Sequence, residues 1–398
     1  MTARPIPSPV LRQISVRAVM ERLLRDGATS RASLSRVTGL SKQTISEVML
    51  VLAERGWVRE SGKISGGVGR TAVRYEIDAR AGFALGLDLG ASTLRGVLTD
   101  ISGTVVAEHE MPADKNPSAL PGQTLALKAA LLAAADAPAD RLQIATVATP
   151  GVMTPQGRLE LAPNLPGVAS LDLADQLRKA LNCQVIFEND VNAGALGEYW
   201  EAGENADDHF AFVSLGTGVG LGILVEGRLL RGASRAAGEI GYLPLGGDPF
   251  AAASLDQGTL ETSLGAAGIL ARYQEYGGSR ATSVRDVFDR LNSGDAAAQR
   301  AIDETARLAA LVVVTIGAVI APDRIVFGGN IGGRPELVHS IKAILPSVQR
   351  RPIRVEVSRL GARATVLGAA AMSLGEMHNS LFSTLELPGR IGLPTLRQ

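Results

Sequence analysis

The sequence is almost free of cysteine, because a single one, Cys183, stands among 398 residues. Since a lone cysteine cannot close a disulfide within its own chain, we expect a protein of a reducing compartment. No uninterrupted apolar run is long enough to span a bilayer. The first ten residues are rich in proline and lack the apolar stretch of a signal peptide. These absences predict a cytoplasmic protein without membrane contact.

Net charge is also lacking, because 40 basic residues balance 40 acidic ones. The two signs are nevertheless unevenly distributed: residues 1–80 hold 14 Lys and Arg against 7 Asp and Glu, and the remainder holds 26 against 33. A small basic head on a larger acidic body is typical of a nucleic-acid-binding module joined to a sensor or an enzyme. Chance segregation of charge is the alternative.

Aromatic residues are scarce at 4%, whereas 45 residues are glycine, a mixture that suits tight strand-to-turn connections. The content of 46% hydrophobic and 20% charged residues is that of an ordinary globular protein. A chain of this length exceeds one ordinary domain, so we expect two or three compact units. From residue 82 onward the sequence pattern changes to short apolar stretches separated by glycine turns and alanine-rich segments. This change predicts a head over 1–81 and a body over 82–398.

Apolar residues at helical spacing predict three helices in the head, over Gln13–Arg25, Arg31–Thr38 and Lys42–Arg55. Ser30 and Ser41 are the expected N-caps of the second and third helices. The second helix is expected to bury Leu34 and Val37. Two helices joined by a tight turn with a glycine form the helix-turn-helix pattern.

A hairpin is predicted to follow the third helix. It consists of a strand over 57–60, a glycine-rich loop over Ser61–Gly69 and a returning strand over 71–77. We interpret it as the wing of a winged helix. Its tip is expected to offer Lys63, Arg70 and Arg74 to phosphates or to the minor groove.

The third helix presents polar side chains near its N-terminus, on the side away from its apolar face: Lys42, Gln43, Thr44 and Ser46. Residues at this place in a helix-turn-helix reach base edges, while neighbouring elements hold the DNA backbone. The pattern therefore predicts a DNA-binding head. A solvated helix face in a protein-binding module is the alternative interpretation.

In the body, short apolar strands alternate with glycine turns and alanine-rich helices, which predicts an α/β fold. The expected strands are 83–87, 93–99, 105–109, 210–215, 221–225 and 228–230, and the expected helices include Leu125–Ala135 and Glu304–Ile320. The strands form two similar groups, each a hairpin plus a further strand. We therefore expect a duplicated, two-lobed body with a cleft between the lobes. The last residues, 386–398, are expected to be irregular.

Three turns after apolar strands suit phosphate or nucleotide binding. They contain Asp88, Gly90 and Ser92 in the first, Gly216, Thr217 and Gly218 in the second, and Gly328 and Gly329 in the third. A carboxylate can hold a metal-bound phosphate, and glycine lets backbone N–H groups approach an anion. The second turn precedes a strand instead of a helix, so it fails the context of a dinucleotide-binding fingerprint. Structural glycine is the alternative explanation for any one turn, but three such turns in this order favour a binding role.

One long stretch, over 215–242, reads LGTGVGLGILVEGRLLRGASRAAGEIGY. It closely resembles the signature of the ROK family (repressors, open reading frames and kinases). Supporting segments read TPGV at 149–152, APNLPG at 162–167 and ENDVNA at 188–193. With its head, the chain is similar over nearly its whole length to the repressor branch, which carries an N-terminal winged helix-turn-helix. The resemblance implies an actin-like, hexokinase-type (ribonuclease H-like) body.

The resemblance also implies roles for single residues. The three glycine turns match the family's phosphate and adenosine motifs, and Asp190 matches the general base of the kinases. The positions implied as sugar ligands are Asn164, Asn189, Asp190, Glu239, Tyr242 and Glu261. From the residues alone, the pair Asn189-Asp190 is as well suited to capping a helix as to binding a ligand.

Many members of the family hold a zinc ion with one histidine and three cysteines. This chain has Tyr242, Ala252, Ser254 and Thr259 at those positions, and none of the four is a usual zinc ligand. We therefore expect no zinc and no other metal. The loop is expected to be held by the packing of Phe250 and Leu255. Tyr242 is expected to reshape the sugar pocket, by stacking on a sugar ring, by donating its hydroxyl or by changing the ligand.

The family resemblance implies a transcriptional regulator, expected to repress genes of carbohydrate metabolism or transport. The effector is expected to be a sugar or sugar phosphate in the cleft, with no required cofactor. Paired heads on a palindromic operator require a homodimer or homotetramer. The alternative is an active sugar kinase that also binds DNA, with ATP and Mg²⁺ as cofactors. A protein-interaction platform is a third hypothesis. The sequence leaves open the sugar, the operator and the sign of regulation.

Overall fold

The computed structural model describes residues 9–64, 72–154, 159–160 and 172–382. The chain divides into two compact units. The first unit comprises Met1–Val147, Ala174–Phe187 and Ala369–Gln398, and the second comprises Ala148–Leu173 and Glu188–Gly368. Residues on both sides of the predicted boundary at 81 thus belong to the first unit. The division into a head and a body at that residue stays a prediction.

The head is a helix-turn-helix followed by a small antiparallel sheet. Its elements are α1 (Pro9–Asp26), β1 (Thr29–Ser30), α2 (Arg31–Thr38), α3 (Lys42–Glu54), β2 (Val58–Ile64) and β3 (Ala72–Ile77). Both predicted caps are confirmed, since the Ser30 hydroxyl accepts from the Ser33 N–H and the Ser41 hydroxyl accepts from the Thr44 N–H. Because these caps satisfy N–H groups of the first turn, they fix where α2 and α3 begin.

The core of the head lies between the three helices. Leu34, Ile45, Met49 and Leu52 are fully buried there. The predicted burial of Val37 is wrong, because its side chain is 39% exposed. Val37 stands one residue before α2 ends, and Leu34 is the residue that this helix buries in the core.

The wing differs from its predicted form. Strand β2 extends to Ile64, so Ser61–Ile64, expected to belong to the loop, belong to the strand. The register shifts between Glu60 and Gly62, where glycine at φ 129° accommodates a bulge. Arg74 does not lie at the tip, since it is paired in β3 with Ser30 on one side and Gly62 on the other.

The first body sheet has five strands in the order β10-β7-β4-β5-β6. These strands are β4 (Phe83–Leu89), β5 (Thr93–Asp100), β6 (Val105–Pro112), β7 (Leu142–Thr149) and β10 (Gln184–Asn189). Every residue of β4 is buried, including Asp88 near its end, as suits a strand covered on both faces. Helices α4 (Leu120–Ala134) and α5 (Leu173–Leu181) accompany this sheet. Leu127 and Leu131 of α4 pack on Gly96 of β5.

The second sheet has the order β13-β12-β11-β14-β15. Its strands are β11 (Phe210–Leu215), β12 (Val219–Val225), β13 (Arg228–Leu229), β14 (Arg324–Gly328) and β15 (Arg354–Val357); a separate ribbon pairs β8 (Val152–Met153) with β9 (Leu159–Glu160). Strands β11, β12 and β13 form an antiparallel meander, while β14 and β15 are parallel additions beside β11. A meander also opens the first sheet, through β4, β5 and β6. The expected duplicated α/β architecture is confirmed.

The remaining helices are α6 (Asp190–Ala202), α7 (Ala252–Gln257), α8 (Thr259–Leu264), α9 (Ala266–Glu275), α10 (Val284–Asn292), α11 (Ala296–Val319), α12 (Gly329–Gly332), α13 (Pro335–Val348) and α14 (Ala364–Phe382). Most pack into one apolar core of the second unit, in which Val313 and Phe327 are fully buried. The predicted start of the long helix at Glu304 is eight residues late, since Asp295 caps α11 by accepting from Ala297 N–H and Ala298 N–H. Within the described ranges, no helix is both long and apolar enough to cross a membrane.

Candidate functional site

The junction of β10 and α6 places two of the predicted ligands next to each other. Asn189 is the N-cap of α6, and its Oδ1 accepts from Val191 N–H at 2.9 Å and Asn192 N–H at 3.1 Å. Its Nδ2 donates to the carbonyl of Gly151 at 3.1 Å. The capping interpretation of this residue is therefore realised, while its role as a sugar ligand stays a prediction.

Asp190, the first residue of α6, carries the most perturbed carboxylate of the site. Its Oδ1 accepts from Val191 N–H at 2.9 Å. Burial raises the pKa of Asp190 to about 6, against a smaller opposing effect of this hydrogen bond. Removal from water disfavours the charged form, so the carboxylate holds its proton more tightly than a solvated aspartate does.

Glu239 and Glu261 complete a cluster of three carboxylates within the second unit. Burial raises the pKa of Glu239, and the charges of Asp190 and Glu261 raise it further. Burial also raises the pKa of Glu261, although its Oε2 accepts from Val219 N–H at 3.1 Å. The structure thus brings together three predicted sugar ligands that lie up to 71 positions apart in the sequence. Their oxygens are acceptors for the hydroxyl groups of a polyol.

Glycine shapes the loop that presents Glu239. Gly238 has φ 95°, and a Cβ there would stand 1.8 Å from the Leu221 carbonyl oxygen. The Leu221 N–H in turn donates to the Gly238 carbonyl at 3.0 Å. Because only glycine fits such a backbone approach, the GEIG segment of the signature has a steric reason. Glu239 is thereby held against strand β12.

A buried ion pair that sequence reasoning missed supports the same loop. Arg231 Nε lies 2.6 Å from Glu188 Oε2, and the Glu188 side chain is 7% exposed. Glu188 Oε1 accepts from Asn189 N–H and from Asn192 Nδ2, both at 3.1 Å. Glu188 precedes Asn189 in the ENDVNA segment and Arg231 belongs to the signature stretch, so both lay in motifs that the sequence offered.

Tyr242 is 45% exposed, and its hydroxyl donates to the Asp256 carbonyl at 3.4 Å. This contact ties the residue to the end of α7. The predicted packing of Phe250 and Leu255 is wrong, because their side chains are 94% and 80% exposed. Polar contacts hold the loop instead: Ser254 Oγ donates to the Asp248 carbonyl at 2.7 Å.

The other two residues at the family's zinc-ligand positions, Ala252 and Thr259, each begin a short helix. Ala252 begins α7, and Thr259 begins α8 after Gly258. Gly258 has φ 88°, and a Cβ there would lie 2.3 Å from the Gly241 carbonyl oxygen. Among the residues that the structure describes, no three His, Cys, Asp or Glu side chains are grouped as a metal would need. The absence of zinc stays a prediction.

The second and third glycine turns have packing reasons of their own. Gly216 N–H donates to the Gly218 carbonyl at 3.0 Å, so this donor is used within the turn. A Cβ at Gly218 would meet the Glu261 carboxylate at 2.8 Å, and one at Gly328 would meet the Phe212 ring at 2.4 Å. Gly329 has φ 80°, and a Cβ there would approach the Leu215 carbonyl oxygen to 2.3 Å. Thr217 lies between the two glycines of the second turn.

The first turn, in the first unit, is faced by a cation of β5 that the sequence does not point to, Arg95. Arg95 Nη1 lies 3.6 Å from Asp88 Oδ2, and Arg95 Nε lies 3.3 Å from Glu110 Oε2. A Cβ at Gly90 would meet the Thr93 carbonyl oxygen at 2.8 Å, so the turn itself requires glycine. Ser92 is exposed, and its carbonyl accepts from Ala113 N–H.

These observations test whether the turns fit a magnesium nucleotide. The Asp88 carboxylate already faces a guanidinium, and the Gly216 N–H is engaged inside its own turn. Mg²⁺ is usually bound through one or two carboxylates together with substrate phosphates. Within each unit, Asp88 and Gly216 as they are arranged do not fit a magnesium nucleotide, and no phosphoryl-transfer step follows from them.

The outer face of α3 carries the predicted base-reading residues. Lys42, Gln43 and Ser46 are exposed, and Thr44 is partly exposed. Ser46 Oγ donates to the Lys42 carbonyl at 2.9 Å, and Thr44 Oγ1 lies 2.9 Å from the Ser41 hydroxyl. Gln43 Nε2 donates to Glu47 Oε1 at 3.0 Å. The structure thus brings the four predicted residues together on one accessible surface.

Several cations of the head are engaged within it. Arg74 donates to the Ala28 carbonyl through Nε at 3.2 Å and Nη2 at 2.5 Å. The guanidinium groups of Arg31 and Arg55 lie over the rings of Tyr75 and Trp57, at 4.9 and 4.8 Å. The excess of basic residues therefore overstates the charge available to DNA. The side chain of Lys63, together with Arg70 and Asn164, lies outside the described residues.

Comparison with known proteins follows the two parts of the chain. The xylose repressor of Caldicellulosiruptor bescii is 26% identical, and the match covers 92% of this chain and 97% of the repressor. The N-acetylmannosamine kinase of Shigella boydii is 30% identical, with 73% of this chain and 98% of the kinase covered. The solved structure of a ROK family transcriptional regulator, a homolog of the E. coli MLC protein, covers 94% of this chain and 98% of its own at 22% identity, with a TM-score of 0.73.

The match to the kinase covers nearly all of the kinase but leaves about a quarter of this chain unmatched. The match to the repressor covers nearly all of both proteins. The likeness of the solved structure shows that the fold, with its head and its actin-like, hexokinase-type body, is shared. The family model of the ROK family matches residues 84–376, which is most of the sequence. The chain belongs to the ROK family.

Proposed function

We propose that the chain is a sequence-specific DNA-binding repressor whose DNA affinity is controlled by a sugar. One observation carries the proposal: a capped helix-turn-helix with exposed base-reading side chains and a three-carboxylate cluster occur in the same polypeptide. DNA is the partner of the first feature, and a polyol fits the second. Full-length similarity to xylose repressors supports the combination.

The carboxylates of Asp190, Glu239 and Glu261 are the proposed acceptors for sugar hydroxyl groups, with Asn189, Asn164 and Tyr242 as further ligands. Three acidic groups in partly buried positions repel an additional negative charge. This favours an unphosphorylated sugar over a sugar phosphate. Because relatives are xylose repressors, xylose and other pentoses come first among the candidates.

The proposed DNA contacts are Lys42, Gln43, Thr44 and Ser46 in the major groove, with Lys63 and Arg70 serving the backbone or minor groove. Arg74 is not among them, because its guanidinium donates to the Ala28 carbonyl. Since one small head contacts few base pairs, we propose a homodimer or homotetramer on a palindromic operator. Repression is proposed for genes of carbohydrate metabolism or transport. A cytoplasmic location follows from that role.

A thermal-unfolding screen tests the sensor part without knowledge of the operator. We expect at least one neutral sugar, pentoses first, to raise the Tm of the full chain in proportion to the logarithm of its concentration. Glu239→Gln is expected to abolish the shift, whereas Glu275→Gln, an exposed carboxylate on α9, preserves it. The sensor role would be contradicted if ATP alone raised the Tm, or if no sugar in a broad panel raised it.

A sugar kinase that also binds DNA is the second candidate, and one observation favours it. The pKa of Asp190 is raised to about 6, which suits a general base working near neutral pH. The turn geometry described above favours the sensor. Sugar-dependent formation of ADP by the wild type, lost in Asp190→Asn, would establish the kinase together with ATP and Mg²⁺ as its cofactors.

A further inference from the structure

A carboxylate stands on the helix that is proposed to read DNA. Glu47 is exposed and lies four residues after Gln43 on α3. Residues at this spacing share one helix face, so Glu47 belongs to the same outer surface as the predicted base contacts. A negative charge at this place is repelled by the phosphates of any DNA sequence. Its presence in a basic head calls for a compensating role in recognition.

The contact between the two side chains gives Glu47 such a role. Gln43 Nε2 donates to Glu47 Oε1 at 3.0 Å. An ionised carboxylate only accepts hydrogen bonds, whereas the two ends of a glutamine amide have nearly the same shape and opposite hydrogen-bonding character. Glu47 therefore determines which end of the Gln43 amide turns toward it and which end turns elsewhere.

The neighbouring polar groups leave this pair as the part of the surface best suited to read a base. Ser46 Oγ donates its proton to the Lys42 carbonyl, and Thr44 Oγ1 is paired with the cap hydroxyl of Ser41. The Lys42 ammonium is a point charge that suits phosphate. A glutamine amide with a fixed orientation presents a donor beside an acceptor, which matches the N7 and N6 edge of adenine.

We propose that Glu47 is a specificity-determining residue, which orients Gln43 for an adenine and rejects guanine at the same base pair. Guanine presents the acceptors N7 and O6 in the major groove, and a carboxylate beside them is repelled. The inference rests on the proposed DNA-binding function. Glu47 thereby lowers the affinity of the head for DNA in general and raises its discrimination between adenine and guanine.

The test is a selection from a random duplex library with the sugar-free full chain. Gln43→Ala and Glu47→Gln are expected to lose the preference for adenine over guanine at the same base pair, by about tenfold. The double variant is expected to lose no more than either single variant, because both act through one amide. Glu54→Gln, which removes an exposed charge from the end of α3, is expected to keep the wild-type preference.

A shorter carboxylate separates charge from positioning. Glu47→Asp keeps the negative charge but loses the reach to Gln43, so its base preference is expected to resemble that of Glu47→Gln. Its affinity for unrelated DNA is expected to stay at the wild-type level, whereas Glu47→Gln and Glu54→Gln bind such DNA more tightly.

Three results overturn the proposal, and they can be distinguished from one another. If the wild type enriches a sequence and Glu47→Gln enriches the same one with equal discrimination, Glu47 does not set specificity. Glu47 is likewise excluded from this role if the two single variants lose preference at different base pairs. If the wild type enriches no sequence at all, the DNA-binding function fails and the role of Glu47 fails with it.

Discussion

At the scale of single residues, the candidate sugar site holds three carboxylates that are partly removed from water and form no salt bridge with any cation in the described part of the chain. The pKa of Asp190, Glu239 and Glu261 is raised in each case, with burial as the largest cause. Such a site is costly for the folded chain when it is charged, and hydroxyl donors of a ligand offset part of that cost. The capacity of these carboxylates to accept hydrogen bonds from a ligand and their cost to the free energy of folding thus have the same cause, the partial loss of water.

The first prediction concerns Asp190→Asn and pH. The folded-state pKa of Asp190 is about 6 and its ordinary value is 3.8, so the folded chain binds the proton more tightly than the unfolded chain. The cost of the ionised side chain is therefore absent below pH 4, grows between pH 4 and 6, and is complete above pH 6. At pH 7.5 the variant is expected to raise the free energy of unfolding by on the order of 2 kcal/mol.

Urea unfolding of both chains from pH 4 to pH 8 measures this difference. Asp286→Asn is the opposite control, because hydrogen bonds from the Thr282 N–H and hydroxyl lower the pKa of Asp286 to about 2. Its loss is expected to destabilise the chain by a constant amount from pH 4 to pH 8, because this effect fades only as pH falls from 4 through 2. A stabilisation by Asp190→Asn that did not depend on pH would contradict the assignment of the raised pKa.

The second prediction concerns the ion pair of Arg231 and Glu188. Arg231→Met leaves a carboxylate that is 7% exposed without its cation, and breaking a buried pair costs about 3–5 kcal/mol. Because Glu188 also accepts from Asn189 N–H and Asn192 Nδ2, the affinity for sugar is expected to fall as well. The double variant Arg231→Met with Glu188→Gln is expected to recover most of the stability and little of the sugar affinity.

Chemical unfolding and sugar titration of the four chains complete a double-mutant cycle. Additive losses in stability would show that the two side chains act independently. A double variant that recovers sugar affinity along with stability would show that the pair serves the fold alone.

At the scale of elements, α6 and α14 are packed so closely that glycine is required where they cross in the second unit. A Cβ at Gly368 would lie 1.7 Å from the Ala193 carbonyl oxygen, and one at Gly197 would lie 2.1 Å from the Ala364 carbonyl oxygen. Since Asp190 opens α6, the position of the candidate base depends on this crossing. Thr365 Oγ1 also donates to the Asp190 carbonyl at 3.2 Å.

The third prediction compares two helical glycines. Gly368→Ala is expected to destabilise the chain by about 1–3 kcal/mol or more, because the new methyl group meets backbone that cannot rotate away. Gly122→Ala in α4 is the matched control, since a Cβ there has no neighbour within 4 Å. It is expected to stabilise by roughly 0.5–1 kcal/mol. Thermal and urea unfolding distinguish the two, and equal effects would contradict the close crossing.

Elements could be predicted from the sequence where a local signal marks them. The cap serines Ser30 and Ser41 mark the true starts of α2 and α3, because a capping hydroxyl acts within three residues. The start of α11 differs from the predicted one, because its first turns are alanine-rich and carry little apolar periodicity. The residue that marks this start is its cap, Asp295. Glycine-rich sequence misled in the wing, where Gly62 belongs to a bulged strand instead of a loop.

At the scale of the whole molecule, the two kinds of module and the duplicated sheet could be predicted from the sequence. The reason is that short apolar strands alternating with glycine turns can be recognised without any comparison of sequences. The carboxylate cluster could be predicted only through family motifs, since its members come from the start of α6, the signature loop and α8. The contacts of Arg231 and Arg95 had no local signal. The packing expected for Phe250 and Leu255 is wrong, because hydrophobicity alone does not tell whether a side chain before or within α7 is covered by another element.

The fourth prediction concerns the link between sugar and DNA, which is the central claim. The measurement is the affinity of the full chain for its selected DNA, by fluorescence anisotropy, with and without the sugar that raises its Tm. We predict that saturating sugar weakens DNA binding by about tenfold or more in the wild type and in Glu275→Gln. In Glu239→Gln the sugar-free affinity is expected to be unchanged and the response to sugar to be lost. A DNA affinity that stays constant while the sugar is bound would contradict the account.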